Sequence, residues 1–346
     1  MFRIKQYGKM LLQNVLLPVI YSIFCRRPIR KGSVLMADAH HDTMPFSMQR
    51  MYEELQCREQ QGQCSIELFI GDFGHMSFGT MVKTLLRFMK QYATAEYVFI
   101  CDYFLPVASC RKRKETTVVQ LWHSCGLMKK IAYDTGEDIP KHYRGNMFGN
   151  YSCMTLSAQI CVPVHERALH LPAGRIHATG VSRTDYYFDP DWNARCRSAF
   201  YGQYPQAKGK KILLWAPTFR GNAAVAYLEG LEEIKRTQEQ LGEDWYFILK
   251  AHPHVDAHGL VSNCTIPTEQ LLAVADVMVT DYSSVMFDYL FYQKPLVLFA
   301  PDLPQYEAGR GFYLDYRQIP YPVAETQQEL EQALLSCEDW MTEHQT

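Results

Sequence analysis

Two histidines, two cations and a pair of serines stand at the ends of apolar runs in this chain. Those are positions where anion binding and proton transfer can be assembled. The serines lie in the stretch from Ala275 to Tyr306, ADVMVTDYSSVMFDYLFYQKPLVLFAPDLPQY. Its pattern predicts a strand at Val277–Thr280, a turn at Asp281–Ser284 and a helix over Val285–Tyr292. Pro295 ends that helix before a second strand at Leu296–Phe299. Hydroxyls and unpartnered amides at a helix N-terminus make an anion site. The plainer alternative is that Asp281, Ser283 and Ser284 only cap the helix. His123 stands in LWHSCGLMKK, where Trp122 is expected to end a strand, Gly126 to permit a tight turn, and Lys129 and Lys130 to begin a helix. Arg183 follows a turn in TGVSRTDY, Pro217 and Thr218 stand in WAPTFR, and Lys250, Ala251 and His252 stand in LKAHPH. A single histidine is more often structural than catalytic, so no one of these stretches decides.

The elements that would hold them alternate. Strands are expected at Ser33–Ala37, Ile66–Ile70, Tyr97–Cys101 and Val118–Trp122, with helices at Phe46–Gln61 and Phe78–Tyr92. The second half repeats the pattern, with strands at Ile212–Trp215, Tyr246–Leu249, Val277–Thr280 and Leu296–Phe299. Helices are expected near 224–242, 268–275 and 283–292. Short apolar strands alternating with helices predict an α/β chain with doubly wound parallel sheets, whose ligands bind beyond the C-terminal strand ends. At 346 residues, two domains are expected. The expected divisions are a segment 1–31, an N-terminal domain 32–182, a connection 183–209 and a C-terminal domain 210–346.

The composition is that of a core-forming globular chain, with 47% hydrophobic and 21% charged residues. A net charge of −2 argues against a nucleic-acid partner. Residues 1–31 nonetheless carry seven cations and no acid. They flank the apolar run Met10–Phe24, which is too short to span a bilayer and lacks a small-residue cleavage site. The expectation is an amphipathic helix lying on the cytoplasmic face of an anionic membrane; a soluble terminal helix packed on the body is the alternative. The eleven cysteines are odd in number and include no C-x-x-C, which points to reduced thiols.

In this order and at these spacings, the W-H, S-R-T-D, A-P-T-F-R, H-P-H and T-D-Y-S-S turns resemble those of the CDP-glycerol glycerophosphotransferase family of teichoic-acid and capsule synthesis. The last three are present almost literally, and the resemblance covers about residues 117–316. It implies a GT-B-like fold of two Rossmann-like domains facing a central cleft. It implies transfer of glycerol phosphate from CDP-glycerol to a hydroxyl of a lipid-linked or polysaccharide acceptor, with release of CMP and no cofactor. By position, it implies His123 and His252 as catalytic residues. Ser124, Cys125, Gly126, Leu127, Arg183, Pro217, Thr218, Lys250, Ala251, Ser283, Ser284 and Asp288 would bind substrate. The chemistry fits: Lys250 and Arg183 supply charge for a pyrophosphate, and the serines supply neutral donors. An imidazole is suited to take the acceptor proton. His123 is the candidate base and His252 the phosphate partner or leaving-group acid, with exchanged roles left open. Asp288, one turn beyond Ser284, would bind a donor hydroxyl; the plainer alternative is an exposed helix acid.

Two departures bear on donor choice. Ser124-Cys125-Gly126 stands where the family pattern often has Gly-Thr-Pro, and Ser182-Arg183-Thr184-Asp185 where it often has Pro-Arg-Asn-Asp. A CDP-ribitol donor, a GT-B glycosyltransferase using a nucleotide sugar, and a non-catalytic nucleotide-binding member are the competing readings. His40, His41 and Asp42 follow the first strand. Their spacing is poor for a metal, and an acceptor-binding role is as plausible. The alternation of His252 and His254 also speaks against one metal site.

Overall fold

The computed structural model describes residues 10–222, 225–251 and 264–344. The chain divides into two compact units. One runs to Gly126 and resumes over Ile131–Thr184; the other takes Leu127–Lys130 and the chain from Asp185 on.

The first unit is built on six strands: β1 (Arg30–Asp38), β2 (Ser65–Ile70), β3 (Ala95–Ile100), β4 (Thr117–Gln120), β5 (Cys153–Thr155) and β6 (Ile176–His177). All pair in parallel, in the order β2-β1-β3-β4-β5-β6. The centre of β1 is buried throughout from Ser33 to Asp38, because a parallel sheet is covered on both faces and its strands read as apolar runs. On one face Val34, Met36, Phe99 and Leu121 pack with Met48 and Leu55 of the helix Phe46–Gln60. β1 is flanked by β2 and β3, and the chain order reverses between β1 and β3. Such a switch point opens a crevice at the strand ends.

The second unit carries β7 (Lys211–Ala216), β8 (Phe219–Asn222), β9 (Val225–Leu228), β10 (Trp245–Leu249), β11 (Val277–Thr280), β12 (Leu296–Phe299) and β13 (Val323–Ala324). Five of them form a parallel sheet in the order β10-β7-β11-β12-β13, and β8 and β9 form an antiparallel hairpin. Leu213, Trp215, Val277, Val279, Val297 and Phe299 make its core with Leu330 and Leu334. Here the switch point lies between β7 and β11.

Several expectations are corrected. The helix expected over 224–242 spans Leu231–Leu241, because β9 takes the residues before it and Gly230, at φ 79°, turns the chain into it. The strand expected to end at Trp122 stops at Gln120. Lys129 and Lys130 do not begin a helix. Lys129 pairs in antiparallel fashion with Phe312, and the amides of Lys130 and Tyr313 donate to the carbonyls of Gly311 and Met128. The extended stretch 127–130 is thereby an outlying piece of the second unit. Gly126, at φ 69°, supplies the turn before it.

The residues ahead of β1 form a π-turn at Leu12–Leu16 and a helix at Leu17–Phe24. Leu17 and Tyr21 are buried, and Tyr21 packs on Tyr92 at 5.0 Å between ring centroids. Leu11, Val15, Val19 and Ile23 are exposed along the opposite face. Among the described residues no helix is long and apolar enough to cross a membrane. All eleven cysteines are free thiols.

Candidate active site

In the first unit, the register sets the geometry. Ile100 pairs with Gln120 and Ala37 with Ile100, so Asp38, Cys101 and Leu121 stand level at the ends of three adjacent strands. The Leu121 amide still donates to the Ile100 carbonyl at 2.7 Å. The next residue, Trp122, has φ 61°. A bulky residue in the left-handed region costs on the order of 1–3 kcal/mol and persists only where its surroundings enforce it. Three contacts do so. Buried Gln120 accepts the Trp122 amide at 3.0 Å. The Arg183 guanidinium donates to the His123 carbonyl. The Ser157 hydroxyl accepts the Gly126 amide at 2.9 Å.

The enforced turn presents His123 with its side chain 44% exposed. Its Nδ1 lies 3.2 Å from the Cys101 carbonyl oxygen. A carbonyl only accepts, so Nδ1 carries the proton and Nε2 of the neutral ring carries the lone pair. Nε2 meets no hydrogen-bond partner among the described residues. Asp102 Oδ2 stands 3.8 Å from Nδ1, beyond hydrogen-bond distance. The Asp102 carbonyl is in turn fixed by Gln120 Nε2 at 3.2 Å. Such a tautomer leaves Nε2 able to accept a proton.

Arg183 is buried, and besides the His123 carbonyl its Nη1 reaches Ser47 Oγ at 3.3 Å. It ties the His123 turn to the start of the helix Phe46–Gln60. Its described contacts are those of a positioning residue. Ser124 is half-buried and Cys125 buried beside it. Leu127 already belongs to the other unit.

In the second unit, Ala216 pairs with Thr280. The turns at Pro217–Thr218 and Asp281–Ser284 therefore leave adjacent strand ends at the switch point. Asp281 locks them together: Oδ1 accepts the Thr218 amide at 2.8 Å and its neighbour Tyr282's at 2.6 Å. Beneath them Arg220, 8% exposed, donates to Asp281 at 3.0 Å and to both oxygens of Asp302 at 2.7 and 2.8 Å. Its guanidinium lies over the rings of Tyr282 and Tyr306, which stack at 3.8 Å. Burial alone would lower the Arg220 pKa; its hydrogen bonds to Asp302 and the charges of Asp281 and Asp302 raise it instead. Burial would likewise raise Asp302, and Arg220 holds it below the usual carboxylate range.

The helix after this turn corrects an expectation. It runs only over Val285–Tyr289 before a 3-10 turn at Leu290–Tyr292. Ser284 makes no side-chain cap. The Val285 amide reaches Ser283 Oγ at 3.4 Å, and the Met286 and Phe287 amides donate to the Ser283 and Ser284 carbonyls. These three amides are engaged within the turn, and a helix of one turn carries little dipole. Ser283 and Ser284 are half-buried. The Thr218 hydroxyl is sheltered and meets no partner among the described residues. Lys250 Nζ donates to the Cys264 carbonyl at 2.9 Å. Pro217 and Ala251 are buried. Asp288 is 4% exposed, unlike the exposed helix acid of the plainer alternative. His252 and His254 lie outside the described residues.

Sequence reasoning missed the brace around His123 and the Arg220 cluster. Gln120, Asp102 and Asp302 carry no spacing signal, and Arg220 was legible only as the last residue of the A-P-T-F-R turn. The one available clue was a polar residue at the buried end of an apolar run, as at Gln120.

Two doubly wound units of parallel strands define a GT-B-like fold. The structure is similar to the wall teichoic acid polymerase TagF, with a TM-score of 0.71 and 20% identity over 100% of this chain and 91% of that one. It is less similar to the UDP-GlcNAc 2-epimerase of Methanocaldococcus jannaschii, with a TM-score of 0.53 and 11% identity over 89% and 92% of the two chains. The chain belongs to the CDP-glycerol:poly(glycerophosphate) glycerophosphotransferase family, whose model matches residues 19–346. It is 29% identical over 334 residues to a teichoic acid poly(ribitol-phosphate) polymerase of Bacillus spizizenii, covering 90% of this chain and 52% of that protein. It is 28% identical to a teichoic acid ribitol-phosphate primase of the same species, covering 86% and 80%. It is 29% identical to a teichoic acid glycerol-phosphate primase of Bacillus subtilis, covering 64% and 60%. The chain thus spans about half the length of the first of these relatives and more of the other two.

Proposed function

We propose that this chain transfers a polyol phosphate from CDP-glycerol or a related CDP-polyol to a hydroxyl of a lipid-linked or polysaccharide acceptor, releasing CMP. The observation that carries the reading is His123: an imidazole on a strained turn, its Nδ1 committed to a carbonyl and its Nε2 left as the base. The acceptor oxygen attacks the phosphorus that bears the polyol. A new O–P bond forms as the bond to the bridging oxygen breaks. CMP leaves with that electron pair, and the acceptor proton passes to His123 Nε2. Charge grows on the phosphoryl oxygens, so preorganised donors are the main catalytic device. Lys250 supplies charge, and Thr218, Ser283 and Ser284 supply hydroxyls. Asp288 receives a polyol hydroxyl. His252 partners the phosphate or protonates the leaving group. Ser124, Cys125, Gly126 and Leu127, with Arg183 behind them, shape the turn that carries the base.

The polyol is glycerol by the family's description, and two of the relatives named above support ribitol as the second reading. The test is CMP release with CDP-glycerol and CDP-ribitol set against UDP release from UDP-sugars. CMP from a CDP-polyol supports the reading; UDP formation replaces it with glycosyl transfer.

We further propose that the chain acts at the cytoplasmic membrane surface. Support comes from the apolar stripe Leu11, Val15, Val19 and Ile23, followed at once by exposed Arg26 and Arg27. Such a helix lies in the interface of an anionic bilayer. Burying one aliphatic side chain contributes on the order of 1.5–3 kcal/mol. Val19→Glu is therefore expected to weaken partitioning to phosphatidylglycerol vesicles by about tenfold or more. Unchanged vesicle binding in a sedimentation assay would remove the membrane assignment.

A further inference from the structure

The turn after β7 is held more firmly than a connection to β8 requires. Both polar groups of the Thr218 backbone are taken up by side chains. Its amide donates to Asp281 Oδ1 at 2.8 Å, and its carbonyl accepts Arg220 Nη1 at 2.6 Å. Asp281 Oδ1 also receives the Tyr282 amide at 2.6 Å, while Oδ2 receives Arg220 Nη2 at 3.0 Å. Asp281 is 4% exposed. Its carbonyl accepts the buried Tyr316 hydroxyl at 3.0 Å, and the preceding Thr280 hydroxyl donates to the Ala216 carbonyl at 2.6 Å. One carboxylate thus holds the turn after β7 and the turn after β11 at a fixed spacing.

These restraints leave out the Thr218 hydroxyl. Oγ1 is shielded from solvent and meets no hydrogen-bond partner among the described residues. Buried polar atoms are nearly always partnered, so a hydroxyl left over on so firmly held a turn points to a partner from outside the fold. Thr218 as a whole is half-buried, and one rotamer step about Cα–Cβ separates a sheltered hydroxyl from a presented one.

Placement says what that partner is. Leu249 pairs with Trp215 and Ala216 with Thr280. Lys250, Thr218 and Ser283 therefore follow three adjacent strand ends, with Thr218 on the middle one. Neighbouring strands lie about 4.8 Å apart, so the three ends make a row about 10 Å long, on the scale of a diphosphate and its flanking esters. An acid beneath such a row would repel a phosphate, and Arg220 offsets its charge. The guanidinium is 8% exposed and directs its described bonds to Asp281, Asp302 and the Thr218 carbonyl.

We propose that Asp281 is a positioning residue of the donor site: through the Thr218 amide it sets the Thr218 hydroxyl between Lys250 and Ser283, where that hydroxyl donates to the diphosphate of the CDP-polyol. This inference rests on the transfer reading above and names a residue on which donor affinity depends. Asparagine cannot take its place. It offers one acceptor and one donor where Asp281 accepts on both oxygens, so either the two amides or the guanidinium would face an N–H group.

The test is a double-mutant cycle read in the dissociation constants for CDP-glycerol and CDP-ribitol, measured by calorimetry without acceptor. Asp281→Asn and Thr218→Val are each expected to weaken binding by about tenfold. The double variant should lie within about twofold of the weaker single one, because both changes remove the same contact. Losses that multiply to about a hundredfold would overturn the assignment, as would unchanged binding in Asp281→Asn. Leu330→Ala, in the core of the same unit, reads the effect of lost stability alone: its melting temperature should fall while donor binding stays within about twofold. Equal weakening in Leu330→Ala would reduce Asp281 to a structural part. Should Asp281→Asn not fold, Tyr316→Phe removes only the hydroxyl on the Asp281 carbonyl; a loss of about threefold or more supports the role, and a smaller one ends it. If Asp281→Asn weakens donor binding yet the wild type turns over no acceptor, the transfer reading fails and the positioning role stands. A wild type that binds neither donor ends both.

Discussion

His123→Ala is expected to lower kcat by a factor of about a hundred to ten thousand, the usual contribution of a positioned general base, while KM for the CDP-polyol stays within about threefold. The side chain is 44% exposed, and among the described residues its one hydrogen bond is to the Cys101 carbonyl. Losing it leaves the fold almost untouched, so the melting temperature should match the wild type. The turn beneath it is a different matter. Trp122 holds its left-handed conformation because Gln120 accepts its amide and Arg183 secures the next carbonyl. Gln120→Leu removes the first of these restraints, and should lower kcat by roughly tenfold with the base still present. Rates measured with saturating donor decide the matter. A His123→Ala enzyme with near wild-type kcat would show that another group takes the proton.

The largest effect on stability is expected at Arg220. Removing one member of a buried ion pair leaves the other charged and enclosed, which costs about 3–5 kcal/mol. Here two carboxylates, Asp281 and Asp302, would lose their shared partner, and the Tyr282–Tyr306 stack would lose the cation above it. Arg220→Ala should therefore lower the unfolding free energy from urea titration by about 3–5 kcal/mol, and a loss below about 1 kcal/mol would contradict the assignment. Arg220→Lys should recover only part, since an ammonium cannot bridge both carboxylates in one plane. The same cluster sets an acid limit. Asp302 titrates lower in the folded chain than in the unfolded one. It therefore contributes stability above its unfolded pKa, and that contribution is lost as pH falls through the folded value. Wild-type stability should accordingly drop on acidification below about pH 4.

Much of the architecture could be read from residue order. Val34–Ala37, Tyr97–Ile100, Leu213–Trp215 and Val277–Thr280 are continuous apolar runs because both faces of each parallel sheet are covered. The hairpin Phe219–Leu228 and the two-residue strands Ile176–His177 and Val323–Ala324 were not legible, being too short to show a period. The partners of Lys129 and Lys130 were invisible because they lie nearly two hundred residues on, at Gly311 and Phe312. At the site, His123 stood out by its neighbours, but nothing in a tryptophan announces a positive φ. Arg183 was expected as a phosphate cation, and its contacts to the His123 carbonyl and Ser47 could not be read from the sequence. The role of Asp281 was hidden because an acid that ends an apolar run looks the same whether it caps, pairs or binds.

The transfer itself is tested most directly by labelling the polyol-bearing phosphate of CDP-glycerol with phosphorus-32 and following it onto a defined lipid-linked acceptor. The label is expected on the acceptor in wild type, with unlabelled CMP formed in equal amount, and both products are expected to form at least about a hundredfold more slowly in His123→Ala. Label appearing as free glycerol phosphate, or reaching the acceptor at the same rate without His123, would contradict the account.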